Sequence, residues 1–165
     1  MKTKLILLTM LMVCSFSVFA QNSPFKKQFD RYKSIKFTYV TKAMMDMAPQ
    51  MKIGNVMLKD LKNKVEQVEV YSNVMSTQGG GSSNVVASVI MYREAKKILT
   101  EGKYELLLQV NEGGKDISFW AKRDKEIIKE MVNVSHYPSK GSRGQCEVLR
   151  LVGHFTIEDI KKITK

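Results

Sequence analysis

Residues 43–51 read AMMDMAPQM and hold the densest group of soft metal ligands in the chain, namely Met44, Met45, Met47 and Met51. Thioether sulfur is a ligand that Cu(I) accepts in proteins. The spacing of these methionines also places them on or beside one face of a short helix that Pro49 limits. Because methionine fills irregular gaps in protein cores, we expect buried side chains here and keep a Cu(I)-binding Met-rich protein as an alternative.

A thiol and two imidazoles offer nucleophilic or acid–base chemistry. Cys146 lies in the apolar run CEVLRLV, and the two histidines are His136 and His154. A thiol enzyme needs a base within hydrogen-bond reach of its sulfur, and no recognised nucleophile motif surrounds these residues. We therefore expect Cys146 to be a small buried hydrophobic residue. The alternative is a periplasmic thiol enzyme that uses Cys146 with a histidine.

Three other patterns carry weaker chemical signals. The segment STQGGGSSN at 76–84 lacks the lysine and hydroxyl spacing of a P-loop, so it predicts a flexible Gly-rich loop at 77–84. Glu158 and Asp159 stand at a predicted helix start, where acids stabilise the helix dipole. Two histidines and one cysteine outside the leader are few for a metal site. The sequence thus predicts no catalytic residue, no cofactor and no metal.

The first twenty residues predict an export signal. Residues 1–4 are basic, an apolar segment follows, and Val18 and Ala20 supply the small side chains that signal peptidase accepts. We expect cleavage between Ala20 and Gln21, which makes 1–20 a signal peptide. Because Val13 stands where a lipoprotein signal needs a small residue before Cys14, we favour a soluble periplasmic or envelope protein over a lipid-anchored one.

The charge of the mature chain limits the classes of partner. The full chain carries +11, and removal of Lys2 and Lys4 with the leader leaves +9. Such a protein is attracted to anionic surfaces. Only five of the 27 basic residues are arginine, however, and nucleic-acid readers favour the planar guanidinium group. We expect an envelope protein as partner, an anionic surface as a second candidate, and no nucleic acid; the oligomeric state is not indicated.

Hydrophobic periodicity predicts the elements that position these groups. Apolar spacings of three and four predict helices over about 24–33, in the methionine segment, around Leu58 and Leu61, and over about 84–101. Alternation predicts strands at 35–41 and 65–71, a hairpin turned by Asn111–Gly114, and strands at 126–135 and 145–153. Thr156 with Asp159 resembles a helix-capping signal that opens a terminal helix.

The element order predicts the fold class. Four consecutive strands with short connections favour an antiparallel meander, so residues 21–165 are expected to form a single α+β domain. Its architecture would be a two-layer sandwich, a mostly antiparallel sheet of about six strands with helices on one face. Some apolar residues fall out of phase with the inward pattern and are candidates for an exposed interaction surface, namely Leu107, Trp120, Ile127 and Leu149.

Four motifs carry a family resemblance. These are FDRY at 29–32, VTKAM at 40–44, GKYELL at 102–107 and GHFTIEDI at 153–160. The order and spacing of these motifs make the chain resemble a family of small exported bacterial envelope proteins known as domain of unknown function 4252. The resemblance implies placement in the periplasm or envelope and supplies no activity, so no catalytic residue is carried over. Some members resemble lipoproteins, and the residue before Cys14 departs from that pattern.

Overall fold

A computed structural model describes residues 23–47, 50, 52–53, 56–57, 63–73, 82–138 and 144–159. The predicted cleavage site at Ala20 and Gln21 and the predicted helix around Leu58 and Leu61 lie outside these ranges. So do residues 77–81 of the predicted Gly-rich loop. Within the described ranges, none of the helices combines the length and hydropathy needed to cross a bilayer.

The chain alternates short helices with strands before one long helix and a run of four strands. The helices are α1 (Pro24–Phe29), α2 (Lys42–Met47) and α3 (Ser82–Glu101). The strands are β1 (Ile35–Thr41), β2 (Lys52–Ile53), β3 (Val56–Met57), β4 (Val65–Asn73), β5 (Glu105–Glu112), β6 (Lys115–Asp124), β7 (Ile127–Tyr137) and β8 (Gln145–Phe155).

Six strands form one antiparallel sheet in the order β1-β4-β8-β7-β6-β5, and β2 and β3 form a separate hairpin. The meander predicted for the last four strands is confirmed, because β5 to β8 are neighbours in sequence order. β4 pairs with β8 on one side and β1 on the other, which extends the sheet beyond the meander. The predicted α+β class with a six-stranded antiparallel sheet is confirmed.

Local sequence explains the ends of the elements. The Ser23 hydroxyl accepts from the Lys26 amide at 3.4 Å, and Pro24 occupies the first turn of α1, where it needs no donor. The helix ends at Phe29, earlier than predicted. Gly113 and Gly114 both have positive φ, +57° and +82°, as a two-residue hairpin turn of this hand requires.

The face of the sheet under α1 and α3, here called the front face, carries an aromatic-rich core. Phe25 and Phe29 of α1 pack around Tyr71 of β4, with ring centroids 6.2 and 5.1 Å from its ring. The long helix contributes Met91, Ala95 and Leu99, all with no exposed surface. These helices bury the front side of the central strands β4, β7 and β8, where the remaining core residues are Val132, Val134, Cys146 and Val148.

The opposite, back face has a second apolar cluster, formed mainly by Val40, Val68, Met131, Leu149, Leu151 and Phe155. Met45 of α2 packs into this cluster with 2% of its surface exposed. Both faces of the central strands therefore carry a buried apolar cluster, and the sheet has one helical layer in front and a small helix behind.

The end of β8 is joined closely to the start of β4. The His154 amide donates to the Lys64 carbonyl at 2.8 Å, and a Cβ on Gly153 would lie 2.0 Å from that same oxygen. Beyond the strand, the Thr156 amide donates to Asp159 Oδ2 at 2.9 Å, while the Asp159 amide donates to Thr156 Oγ1 at 3.3 Å. The predicted capping interaction is confirmed.

Candidate functional site

The methionine segment does not form a converging set of sulfur ligands. Met45 points into the back-face core, whereas Met44 is 47% exposed and Met47 is 85% exposed. The prediction that these methionines fill the core is right for Met45 and wrong for Met44 and Met47. The reason is length, because a helix of six residues presents little more than one side chain to the sheet. The side chain of Met51 lies outside the description.

The sheet does bring Cys146 and His136 together. They are direct cross-strand partners on β8 and β7, and His136 is in turn the partner of Asp116 on β6. A carboxylate, an imidazole and a thiol thus lie in one row on the front face. His154, the other candidate base, lies near the far end of β8, exposed and 3.3 Å from Glu66.

Helix α3 covers this row, and together the row and the covering residues Tyr92 and Lys96 are called the imidazole cluster. The Tyr92 ring stacks on His136 with centroids 4.6 Å apart, and its hydroxyl donates to Asp116 Oδ2 at 2.9 Å. Lys96 Nζ lies 3.7 Å from Asp116 Oδ1. Among the described residues, His136 Nε2 and Asp116 Oδ1 are buried without a hydrogen-bond partner.

The electrostatics of the imidazole cluster oppose nucleophilic chemistry. Burial, with a smaller contribution from Glu147, raises the pKa of the Cys146 thiol to about 12. Burial also lowers the pKa of His136, although Asp116 acts in the opposite direction. A neutral thiol beside a neutral imidazole is the reverse of the thiolate–imidazolium pair that cysteine enzymes use. With 2% of its surface exposed, Cys146 also offers little access to a substrate.

A second group of titratable residues, which sequence reasoning missed, is here called the charge cluster. Arg150 of β8 lies between two carboxylates: its Nη1 is 2.8 Å from Glu69 Oε1, and its Nη2 is 2.8 Å from Glu130 Oε2. Glu69 is fully buried and accepts from Ser23 at 2.7 Å, from Tyr71 at 2.9 Å and from Gln67. The Tyr104 hydroxyl donates to Glu130 at 2.6 Å.

The charge cluster is suited to holding α1 on the sheet. Burial opposes the charge on Arg150, but Glu69 and Glu130 outweigh it and raise the arginine pKa. Burial and the adjacent carboxylate raise the pKa of Tyr104. Through Ser23, which also caps α1, the cluster fastens that helix to β4. Each carboxylate here is engaged by several donors, as expected of a structural ion cluster.

The four residues predicted as one interaction surface occupy different places. Leu149 is buried in the back-face core, and Leu107 packs partly against it. Trp120 packs against the front-face core, where its indole donates to Ser118 Oγ at 3.0 Å and Lys96 Nζ lies over its ring. Ile127 is exposed at the start of β7. The structure does not bring these four side chains together.

A different set of apolar residues is contiguous and accessible. Leu108 faces Phe119, and Val110 faces Ile117, across the β5–β6 pair. Phe119 and Ile117 share the back face with Ala121, a residue of the buried core. Leu108 and Val110 are 46% and 41% exposed, and their two partners are half-buried. This back-face patch comprises Leu108, Val110, Ile117 and Phe119.

The part of the chain that the structure describes does not contain a recognisable metal site. No group of three or more histidine, cysteine or acidic side chains is placed to hold an ion there. Asp159 serves the helix cap and lies 2.9 Å from Lys64 Nζ. The back-face patch, whose residues are contiguous and accessible, is the candidate functional surface.

Comparison with known proteins agrees with the motifs identified in the sequence. No curated protein and no solved structure matches the chain. The family model described as "Domain of unknown function (DUF4252)" matches residues 29–163, which is most of the chain. That range includes all six strands of the main sheet together with α2 and α3. The chain belongs to the DUF4252 family.

Proposed function

We propose that this protein is an exported, non-catalytic domain that binds another protein of the cell envelope through the back-face patch. The observation that carries the proposal is the contiguity of Leu108, Val110, Ile117 and Phe119 on two adjacent strands. Exposed apolar side chains of neighbouring strands mark interaction sites more often than single exposed ones do. The basic, lysine-rich composition supports a partner with acidic residues around an apolar centre.

Site-specific photocrosslinking tests the patch directly. A photoreactive phenylalanine analogue at Val110 should yield a discrete adduct with an envelope protein, whereas the same probe at Val89, exposed on α3, should not. Unlabelled wild-type protein should compete for the adduct, and the Ile117→Asp variant should compete at least tenfold less well. An adduct formed equally from both probe positions, or competed equally by the variant, would contradict the proposal.

Export forms a separate part of the proposal, supported by the predicted leader. Cell fractionation should place the protein in the periplasm or envelope, and its N-terminal residue should be Gln21. Retention of residues 1–20 on a cytoplasmic protein would contradict export without bearing on the patch.

The competing function is that of a thiol enzyme, favoured by the row of Asp116, His136 and Cys146. Burial and the raised thiol pKa argue against it. Iodoacetamide at neutral pH should leave Cys146 unmodified in the folded protein and modify it after denaturation. Rapid labelling of the folded protein, abolished in a His136→Phe variant, would favour the enzyme instead.

A further inference from the structure

The outward side of the helical layer is basic. Helices α1 and α3 both pack on the front face of the sheet, and the Gln28 side chain of α1 donates to Glu94 Oε2 of α3 at 2.8 Å. The two helices therefore lie side by side and share one outer surface. Residues 24–33 and 85–101 expose five basic side chains, namely Lys27, Arg31, Lys33, Arg93 and Lys97.

The acidic residues of this layer do not cancel its charge. In the same two ranges only two acidic side chains are exposed, those of Asp30 and Glu101. Asp30 pairs with Lys26, and Glu101 lies 3.9 Å from Lys97 Nζ, with the side chains of the second pair 63% and 68% exposed. Ion pairs as exposed as this one are weak. The layer thus keeps a net positive charge, which attracts anionic surfaces.

Helix geometry turns these charges away from the sheet. On α1, Lys27 lies two positions from both Phe25 and Phe29, which pack into the front-face core. Arg93 occupies the same kind of position between core residues of α3. At about 100° per residue, two positions bring a side chain to the opposite side of a helix. The basic groups therefore point outward, where a large flat partner can reach several of them together.

The outward side of α3 also carries exposed apolar residues. Val86 and Val89 lie in its first half, and Arg93 and Lys97 follow at intervals of four residues, so all four form one stripe. Apolar residues beside lysine and arginine are typical of helices that lie on a membrane surface. The apolar groups enter the boundary between headgroups and acyl chains, while the cations contact lipid phosphates.

The back face does not share this excess of positive charge. Around the back-face patch, Arg123 Nε lies 2.9 Å from a Glu105 carboxylate oxygen, and Lys115 faces Glu112 across the β5–β6 turn. Opposite charges are therefore paired there. Lys36 of β1 lies on the same face, away from the helices. An anionic surface is accordingly attracted to the helical layer rather than to the patch.

We propose that this protein lies on anionic phospholipid with its helical layer against the bilayer surface. Lys27, Arg93 and Lys97 contact the lipid phosphates, and Val86 and Val89 enter the headgroup region. The back-face patch then points away from the lipid and stays free for a protein. This association does not depend on the proposed envelope partner, because it uses the opposite face of the sheet.

Vesicle binding with matched pairs of neutralised residues tests the surface. The mature protein should co-sediment with vesicles of equal parts phosphatidylglycerol and phosphatidylcholine, but not with phosphatidylcholine alone, and high salt should release it. Arg93→Gln with Lys97→Gln should weaken binding about twentyfold, because each basic residue near an anionic surface contributes about a factor of five. Lys36→Gln with Lys115→Gln removes the same charge from the back face and should weaken binding less than about twofold.

A fluorescent probe tests the orientation. Nitrobenzoxadiazole attached to Val89→Cys should brighten and shift to the blue on the anionic vesicles, whereas the same dye on Val110→Cys should not. Ile117→Asp, which alters the back-face patch, should bind the vesicles like the wild type. Circular dichroism checks that each variant is folded.

Four outcomes would overturn the proposal. They are failure of the wild type to bind the anionic vesicles, equal weakening by the two neutralised pairs, a blue shift of the dye at Val110, and retention on heparin without binding to the vesicles. None of them bears on whether the back-face patch binds a protein, which the crosslinking experiment decides separately.

Discussion

The charge cluster and the imidazole cluster lie on the same face of the same sheet, yet they differ in how completely their polar groups are paired. In the charge cluster, Arg150 spans two carboxylates, and Glu69 receives donors from Ser23, Gln67 and Tyr71. In the imidazole cluster, Asp116 and His136 each leave one buried atom without a hydrogen bond.

The two clusters should therefore contribute differently to the free energy of unfolding. A charge deep in the protein requires its partners, so removal of one leaves a costly uncompensated charge. The neutral imidazole of His136 is already buried with one nitrogen that lacks a hydrogen bond, and this lowers the stability of the folded state. Its replacement by an apolar ring removes that unfavourable contribution. The charge cluster should therefore be intolerant of substitution, and the imidazole cluster tolerant.

Replacement of Arg150 by methionine should have the largest effect. It leaves Glu69 buried without its cation, and we expect a loss of about 3–5 kcal/mol in the free energy of unfolding. Urea denaturation measures the change. The double variant Arg150→Met with Glu69→Gln should recover part of the loss, because it removes the orphaned charge. A loss below about 1 kcal/mol would show that the pair is not as desolvated as its burial indicates.

A matched pair of tyrosine variants compares the clusters directly. Tyr71→Phe removes a donor to fully buried Glu69 and should cost about 1.5–3 kcal/mol, as for hydrogen bonds to charged groups. Tyr92→Phe removes a donor to Asp116 Oδ2, which Gln109 also serves at 2.9 Å. Its cost should be about 0.5–1.5 kcal/mol in the same denaturation experiment. Equal costs would mean that the clusters do not differ as described.

The smallest effect concerns pH. Burial lowers the folded-state pKa of His136 below its ordinary value of 6.5, so the unfolded chain binds the proton more readily. The stability contribution of His136 should be constant above pH 6.5, fall as the pH drops below it, and level off below the folded pKa. Asp116, Tyr92 and Cys146 also face this imidazole, and Lys96 lies beside Asp116.

The variant His136→Phe isolates the imidazole from those neighbours. It retains a ring to stack on Tyr92 and should be close to neutral in stability above pH 6.5. Urea denaturation of both proteins from pH 7.5 to pH 5 should show a difference that grows in favour of the variant as the pH falls. A difference that does not vary with pH would show that His136 protonates equally in the folded and unfolded states.

The sequence predicts much of the fold because alternation and turn residues act locally. β1 has the predicted bounds, and the Gly113–Gly114 turn forces the predicted hairpin. The four residues predicted as one interaction surface lie in different places for a reason that is not local. Both faces of the central strands are covered, so the phase that placed Leu149 outside the inward pattern describes a second core.

The charge cluster was not predicted, because the sequence pattern around its polar residues is typical of a strand with one solvent-exposed face. In VEQVEVY, Gln67 and Glu69 alternate with valine as they would on an amphipathic strand. Glu69 can be buried because the Arg150 guanidinium group donates to its carboxylate. Arg150 lies 81 positions away in the chain and is brought to Glu69 by the pairing of β4 with β8. No local pattern contains a partner at that separation.

The contact between Gly153 and Lys64 has a consequence for the motif GHFTIEDI. The main-chain oxygen of Lys64 occupies the space that any larger residue at position 153 would need. Phe155 fills the interior beyond it, and Asp159 returns to Lys64. These contacts join the last strand to the start of β4, so the fold itself requires Gly153, Phe155 and Asp159, whatever the protein binds.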